Sequence, residues 1–395
     1  MGTVKPKGYQ ATARAMNRCL ILNLLRQHGP MSRAELAIAT GLSPAAVSFV
    51  VSDLIEEKVV KDGSAVSGKT GRRPVPVQID YDQTIALGFR LMADAVECVA
   101  TDLETNIIAA MRVTLPRRVP ETVVAVLVET LPKLIKLAGR PHSGLAGIGI
   151  SMPAVISHDQ TVCIRSHRFG WDNVPLAQLI ANQVRVPVWL EDDTNAYAIA
   201  QQLFGLGRHH QNMAVLAVGV GIACAHVIEG KLYRGANGAA GRLGHTIVEP
   251  NGRPCECGKQ GCLMAYHSEA SMVKRWTEQI GVNHEAGSQQ FRASLASRDP
   301  VVVAIVEEAG RCIGTALADL VNITDPGVIV VGGEAVSLGE PLLQPLRHAL
   351  ALRTFRAPPY LLPDWKDNSW ARGAAALVIQ KIFDYENNGG VLNVT

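Results

Sequence analysis

Residues 245–262 read HTIVEPNGRPCECGKQGC and gather His245, Cys255, Cys257 and Cys262 within eighteen positions. Such a set could serve as a disulfide knot, a redox centre or a metal site. No positively charged start leads into an apolar run, and no uninterrupted apolar stretch reaches the roughly 18 residues of a membrane span. A cytoplasmic chain is therefore expected, and stable disulfides are rare in that compartment. One imidazole and three thiolates make four ligands, the number that closes a tetrahedral structural zinc site. Cys255-Glu256-Cys257-Gly258 predicts a tight turn, Gly261 lets the chain double back, and Cys262 returns a third thiolate to the same point. The loop has little apolar content, so a Zn2+ ion would replace the core it lacks. The alternative is a chance cluster of small thiols in a glycine-rich loop. Cys19, Cys98, Cys163, Cys224 and Cys312 stand alone and read as small buried hydrophobes.

A second set of residues suggests contact with a polyanion. Residues 1–80 hold 11 Lys/Arg against 6 Asp/Glu, a net +5, while the remaining 27 against 29 give −2, so the basic excess sits in the first fifth of the chain. From Asn17, NRCLILNLLRQHG places Leu20, Ile21, Leu24 and Leu25 on one helical face, stopped at His28-Gly29-Pro30. Ser32 followed by Glu35 forms a capping box that opens a second helix. Gly41 supplies the turn, and Ser43 caps a third helix with Pro44 in its first turn. That third helix should bury Val47, Val50, Val51, Leu54 and Ile55, leaving Ala45, Ala46, Ser48, Phe49 and Ser52 outward. Two helices joined by a glycine turn describe a helix-turn-helix, whose second helix enters the DNA major groove. Ser43, Pro44, Ala45, Ala46, Ser48, Phe49 and Ser52 are the candidate DNA-facing residues. The next stretch, VVKDGSAVSGKTGRRPVPVQI, reads as two strands around a thin tip carrying Lys69, Arg72 and Arg73, a wing whose cations would meet phosphates or the minor groove. A trihelical protein-binding module is the alternative.

These clusters need a scaffold. At 395 residues two or three domains are expected, and 48% hydrophobic with 18% charged residues supports buried globular cores over a disordered polymer. After Asp80, TIALGFRLM, AVECVATDL and IIAAMRVTL read as a strand meander, PETVVAVLVETLPKLIKLAG as an amphipathic helix and LAGIGISMP as another strand. The alternation returns in MAVLAVGVGIACAHVIEGKLY, VVVAIVEEAGRCIGTALADLVNIT and PGVIVVGGEAV. Two α/β halves on one plan suggest a bilobal domain with a cleft between its lobes. The expected division is 1–80 for the DNA-binding part, 81–385 for the bilobal part and 386–395 for a flexible tail. His209 and His210 read as a surface loop after a helix.

The segments LEDDTNAYAIAQ, GAAGRLGHTIVEPNGRPCECGKQGCL and VIVVGGEAV resemble the signature segments of the ROK family, which joins bacterial sugar repressors and sugar kinases. The resemblance covers nearly the whole chain, and its most specific element is the histidine-to-cysteine spacing. It implies an α/β fold with an N-terminal winged helix-turn-helix followed by a bilobal actin-like, ribonuclease H-like ROK domain bearing a structural zinc loop. It also implies a repressor of carbohydrate genes, released from operator DNA by a sugar or sugar phosphate in the cleft.

Kinases of the family carry a catalytic base and glycine-rich phosphate turns. Asp193 matches the base. The first phosphate motif is missing at Leu91-Met92-Ala93, and the second reads Gly219-Val220-Gly221-Ile222-Ala223-Cys224-Ala225, with the threonine and three glycines gone. Among the family's five sugar-holding groups, the resemblance puts Asp192 in place of an asparagine, keeps Asp193 and His245, and replaces two glutamates by Arg242 and Met264. Asp192, Asp193, Arg242 and His245 are thus the candidate effector residues. Arg242 would either receive an anionic sugar derivative or pair with Asp192 or Asp193 and close the pocket. A non-enzymatic regulator is expected, acting as a homodimer or dimer of dimers on operator DNA without a membrane. The alternatives are a sugar kinase with an appended DNA-binding module, or a repressor switched by a protein partner.

Overall fold

Two serines fix the start of the chain. Ser32 caps α2 (Arg33–Thr40) with a complete capping box through Glu35, and Ser43 caps α3 (Pro44–Glu56) with Pro44 in the first turn. Gly41 adopts the left-handed conformation between them. The computed structural model describes residues 8–63, 75–140, 144–281 and 287–383. In it α1 (Gly8–His28) begins nine residues before the expected start at Asn17. Its buried side is also rotated from the expected face: Leu20 is exposed, while Cys19, Ile21, Leu22 and Leu25 are buried. Strands β1 (Met31–Ser32), β2 (Val60–Asp62) and β3 (Pro76–Ile79) form an antiparallel sheet in the order β1-β3-β2. Three helices and a β2/β3 pair make a winged helix-turn-helix.

The chain divides into two units, one drawn from residues 1–151, 177–190 and 374–395 and the other from 152–176 and 191–373. Besides the winged helix, the first unit contains β4 (Ile85–Leu91), β5 (Ala95–Thr101), β6 (Ile107–Thr114), α4 (Pro120–Ala138) and most of β7 (Leu145–Met152). The second unit takes up β8 (Val155–Ile156), β9 (Cys163–Ser166) and β10 (Trp171–Val174), a small sheet that the sequence reading did not foresee. The chain then returns to the first unit through α5 (Leu176–Val184) and β11 (Val188–Asp192). Sheet order in the first unit is β11-β7-β4-β5-β6. β4 pairs antiparallel with β5, Phe89 opposite Cys98, and parallel with β7, Phe89 opposite Ile150.

The second unit repeats this plan. It holds α6 (Asp193–Phe204), β12 (Met213–Val218), β13 (Ile222–Ile228), β14 (Lys231–Leu232), α7 (Met264–His267), α8 (Glu269–Ile280), α9 (Ser288–Ala296), α10 (Pro300–Thr324), β15 (Val328–Gly332), α11 (Glu340–Arg353) and β16 (Tyr360–Pro363). Its sheet runs β14-β13-β12-β15-β16, antiparallel through β12 and parallel from β12 to β16. β7 and β15 are buried at every position, which is why LAGIGISM and VIVVG read as continuous apolar runs without alternation. In α10, Gly310 and Gly314 lie against the Leu342 and Leu346 carbonyls of α11, where a Cβ would collide, so these glycines permit close helix contact.

The last helix, α12 (Ser369–Phe383), ends in the first unit. There Asn23 Nδ2 of α1 donates to the Phe383 carbonyl at 2.7 Å, and the Arg26 guanidinium lies 5.7 Å from the Phe383 ring. The winged helix is thus tied to the end of α12 by a polar and a cation–π contact.

Candidate functional site

The exposed face of α3 follows from what the helix buries. Val47, Val50, Val51 and Leu54 are buried, at about 1.5–3 kcal/mol each, which fixes the rotation of the helix. Ile55, expected inside, is half-buried because it lies at the edge of that stripe. Ser43, Pro44, Ala45, Ser48, Phe49 and Ser52 are exposed and Ala46 is half-buried. Phe49 is 57% exposed, and the Arg14 guanidinium of α1 lies 4.7 Å from its ring centroid. Arg14 also holds the Asp53 carboxylate through Nη2 at 2.5 Å and Nε at 3.1 Å. An acidic group on this face would repel phosphate, and Arg14 offsets it. The sequence reading missed both residues, since they lie 39 positions apart and only the fold joins them. Lys69, Arg72 and Arg73 of the wing tip lie outside the described residues.

The cysteine loop closes as its spacing predicted. Isolated bridges pair Ile247 with Cys262 and Pro254 with Gln260, so the chain doubles back. Gly261 has φ +79°, and a Cβ there would strike the Glu249 carbonyl. One ligand atom from each of His245, Cys255, Cys257 and Cys262 lies within 4.8 Å of the others. Cys255 Sγ is 3.6 Å from His245 Nδ1, and Cys257 Sγ is 3.7 Å from Cys262 Sγ. Tetrahedral Zn–S bonds of about 2.3 Å would separate two sulfurs by roughly 3.8 Å, so the donors fit a metal of that size. Burial, followed by the charge of Arg242, lowers the His245 pKa and favours the neutral imidazole that ligates metal.

Of the effector candidates, Asp192 and Arg242 meet where β11 passes into α6. Asp192 caps α6 by accepting from Thr194 N at 3.0 Å. Arg242 Nη1 donates to Asp192 Oδ2 at 2.9 Å, and Nη2 donates to the Ala154 carbonyl at 2.8 Å. Of the two arrangements open to Arg242 from the sequence, the geometry therefore has the pairing with Asp192. The charge of Asp192, opposed by burial, raises the Arg242 pKa. Beside them the buried Glu191 carboxylate takes Arg234 Nε at 2.7 Å, Gln160 Nε2 at 3.0 Å and Asn195 Nδ2 at 3.2 Å. This acid is fully engaged, and the sequence reading had not singled it out.

The β12–β13 turn differs from a phosphate cradle in more than its missing glycines. Glu269 N donates to the Gly219 carbonyl at 2.8 Å, which brings the head of α8 to the turn. Glu334, just after Gly332-Gly333, accepts from Trp370 Nε1 at 3.0 Å. Burial, with Glu334 adding and Arg292 opposing, raises the Glu269 pKa. Arg292 holds the Glu269 carboxylate through Nη2 at 2.7 Å and Nε at 3.0 Å, and Glu334 Oε2 lies where a Cβ on Gly219 would fall, so side chains crowd this turn.

A winged DNA-binding module joined to two α/β units on one repeated plan, with a metal-competent loop in the second, defines a class of regulators built on a sugar-kinase-like scaffold. Residues 86–381 match the ROK family, and residues 17–61 match winged helix-turn-helix DNA-binding domains. The chain belongs to the ROK family, and its N-terminal module places it among that family's DNA-binding transcriptional regulators. A xylose repressor of Caldicellulosiruptor bescii is 28% identical over 96% of this chain and 99% of its own length. A ROK family transcriptional regulator described as a homolog of the E. coli MLC protein superposes with TM-score 0.84 at 22% identity, covering 95% of this chain and 98% of that one. A ROK family glucokinase from Streptomyces griseus, in complex with glucose and AMPPNP, superposes with TM-score 0.67 at 25% identity over 74% of this chain and 98% of the enzyme. The regulator thus matches the winged helix as well, whereas the kinase matches about three quarters of the chain.

Proposed function

We propose that the protein represses genes of carbohydrate uptake or catabolism by binding operator DNA through residues 1–80, and that a sugar-derived effector bound within residues 81–385 releases it. The exposed face of α3 carries this reading: small and hydroxylated groups flank one aromatic, on a helix whose other side is locked into a core. Ser43, Pro44, Ala45, Ala46, Ser48, Phe49 and Ser52 would approach the major groove, with Lys69, Arg72 and Arg73 on the phosphates. A two-fold operator calls for a homodimer or a dimer of dimers through residues 81–385. A role on genomic DNA calls for the cytoplasm. No single helix among the described residues is long and apolar enough to cross a membrane.

His245, Cys255, Cys257 and Cys262 would hold one structural Zn2+ ion that shapes the loop. Asp192, Asp193, Arg242 and His245 would meet the effector. Because Arg242 holds Asp192, an anionic sugar derivative must compete with that carboxylate for the guanidinium. The same ion pair favours a second reading, a repressor switched by a protein partner, since it occupies groups a neutral sugar would need. The lost threonine and glycines of the β12–β13 turn, with the Glu334 carboxylate set against Gly219, argue against ATP binding and for a protein that is not an enzyme.

The test is a thermal-shift screen of zinc-loaded protein against neutral sugars, sugar phosphates and sugar acids, followed by operator release with any ligand found. An acidic derivative that raises Tm and releases DNA supports the first reading. Release by a protein alone supports the second, and sugar-dependent ATP turnover would overturn both.

A further inference from the structure

Cys312, solitary in the sequence, is not solitary in the fold. α10 packs on both α7 and α8. Glu308 and Cys312 stand four residues apart on α10, hence on one face, and His267 ends α7 opposite them. One ligand atom from each of His267, Glu308 and Cys312 lies within 4.8 Å of the other two. His267 is only 4% exposed, and its Nδ1 is buried without a hydrogen-bond partner. Leaving such an atom unsatisfied costs about 1–3 kcal/mol, so the position calls for an acceptor of its lone pair or its proton.

We propose that His267, Glu308 and Cys312 form a second metal site that takes Zn2+ or another borderline divalent ion and is separate from the cysteine loop. An imidazole nitrogen, a carboxylate oxygen and a thiolate are the donor types such ions select. Arg275 of α8 supports the assignment from outside. Its Nη2 lies 2.5 Å from Glu308 Oε2, which orients the carboxylate and leaves its other oxygen for an ion. Burial, then the charge of Arg275, holds the His267 pKa at about 4, so the ring is neutral at physiological pH. Three protein ligands leave a fourth position for water or a small anion, unlike the four-ligand loop. Binding releases the Cys312 thiol proton to solvent and leaves the metal's oxidation state unchanged.

The two sites bracket α7. Cys262 precedes the helix and His267 ends it, while Arg253 N of the cysteine loop donates to Tyr266 Oη at 2.5 Å. An ion at His267 would therefore brace α7 against α10 beside the loop.

Metal stoichiometry tests this on the whole purified chain, stripped under reducing conditions and titrated with Zn2+ and, separately, Co2+. Two ions per chain are expected after dialysis. Cys312→Ser and His267→Gln should each lose one ion, or bind it at least ~100-fold more weakly, while the cysteine-loop ion stays. With Co2+, the second equivalent should add thiolate-to-metal absorption in the wild type and none in Cys312→Ser. Arg275→Met should weaken the second ion by about 10–100-fold without touching a ligand. Wild-type saturation at one ion per chain, with that ion unaffected by Cys312→Ser and His267→Gln, overturns the proposal. So does a second ion held equally well by Cys312→Ser and His267→Gln, which would mark an adventitious ion only. Loss of the cysteine-loop ion with the second retained would count against the proposed zinc loop and leave this site standing.

Discussion

Removing Arg242 should destabilise the second unit by an amount set by the carboxylate left behind. Asp192 is 5% exposed and would keep only its bond to Thr194 N, while Arg242 is about one-third exposed at its side chain. A charge-assisted hydrogen bond is worth about 1.5–3 kcal/mol, and breaking a fully buried pair costs about 3–5 kcal/mol. Discounting for the solvent that reaches Arg242, Arg242→Ala should cost about 2 kcal/mol. In a unit of about 200 residues this corresponds to a Tm lower by about 4–8 °C. Asp192→Asn keeps an oxygen to cap α6 but removes the charge. The double variant should therefore be less destabilised than the sum of the singles by about 1 kcal/mol or more. Scanning calorimetry of the zinc-loaded chain and the three variants measures this cycle. Additivity within about 0.5 kcal/mol would refute an energetic link between Arg242 and Asp192.

Arg242→Glu should abolish binding of any acidic sugar derivative and favour a weak response to neutral sugars, measured by thermal shift; unchanged acid binding would count against Arg242 as the receptor. Cys257→Ser and Cys262→Ser should each lose the loop's metal, lower Tm and blunt the effector response, as read by metal content and calorimetry. Replacing Arg72 and Arg73 with alanine should weaken binding to every DNA sequence and reduce the salt slope by about 2, whereas changes at Ser48 or Phe49 should alter which sequences bind. Arg14→Ala should weaken DNA binding with little loss of fold, because it uncovers Asp53 on the α3 face. Filter binding across salt concentrations separates these cases.

What could be read in the sequence was local. The Ser32/Glu35 box, the Ser43–Pro44 start and the turn at Gly41 each lie within four residues, and each formed as spaced. The cysteine loop was legible for the same reason: its four ligands span eighteen positions, and Gly261 marks the reversal. The strand meanders were legible because β4, β7, β12 and β15 are buried throughout and leave unbroken apolar runs. Contacts between distant residues were not. Arg14 meets Asp53, Arg242 meets Asp192 and Cys312 approaches His267 only after α1, β11 and α10 have packed, and no local period announces any of them. The rotated face of α1 has a similar cause. LILNLL offers apolar residues on several sides, and packing chose Ile21, Leu22 and Leu25 over Leu20.

The central claim, that this ROK-family chain acts by binding DNA through its winged helix, is tested most directly by selecting genomic DNA fragments with the purified chain and measuring their affinity. The same fragments should then be offered to a chain lacking residues 1–80 and to a Ser48/Phe49 double variant. The account predicts salt-sensitive binding to a two-fold symmetric site, lost with residues 1–80 and redirected by the double variant. Full binding to the same fragments by the chain without residues 1–80 would contradict it.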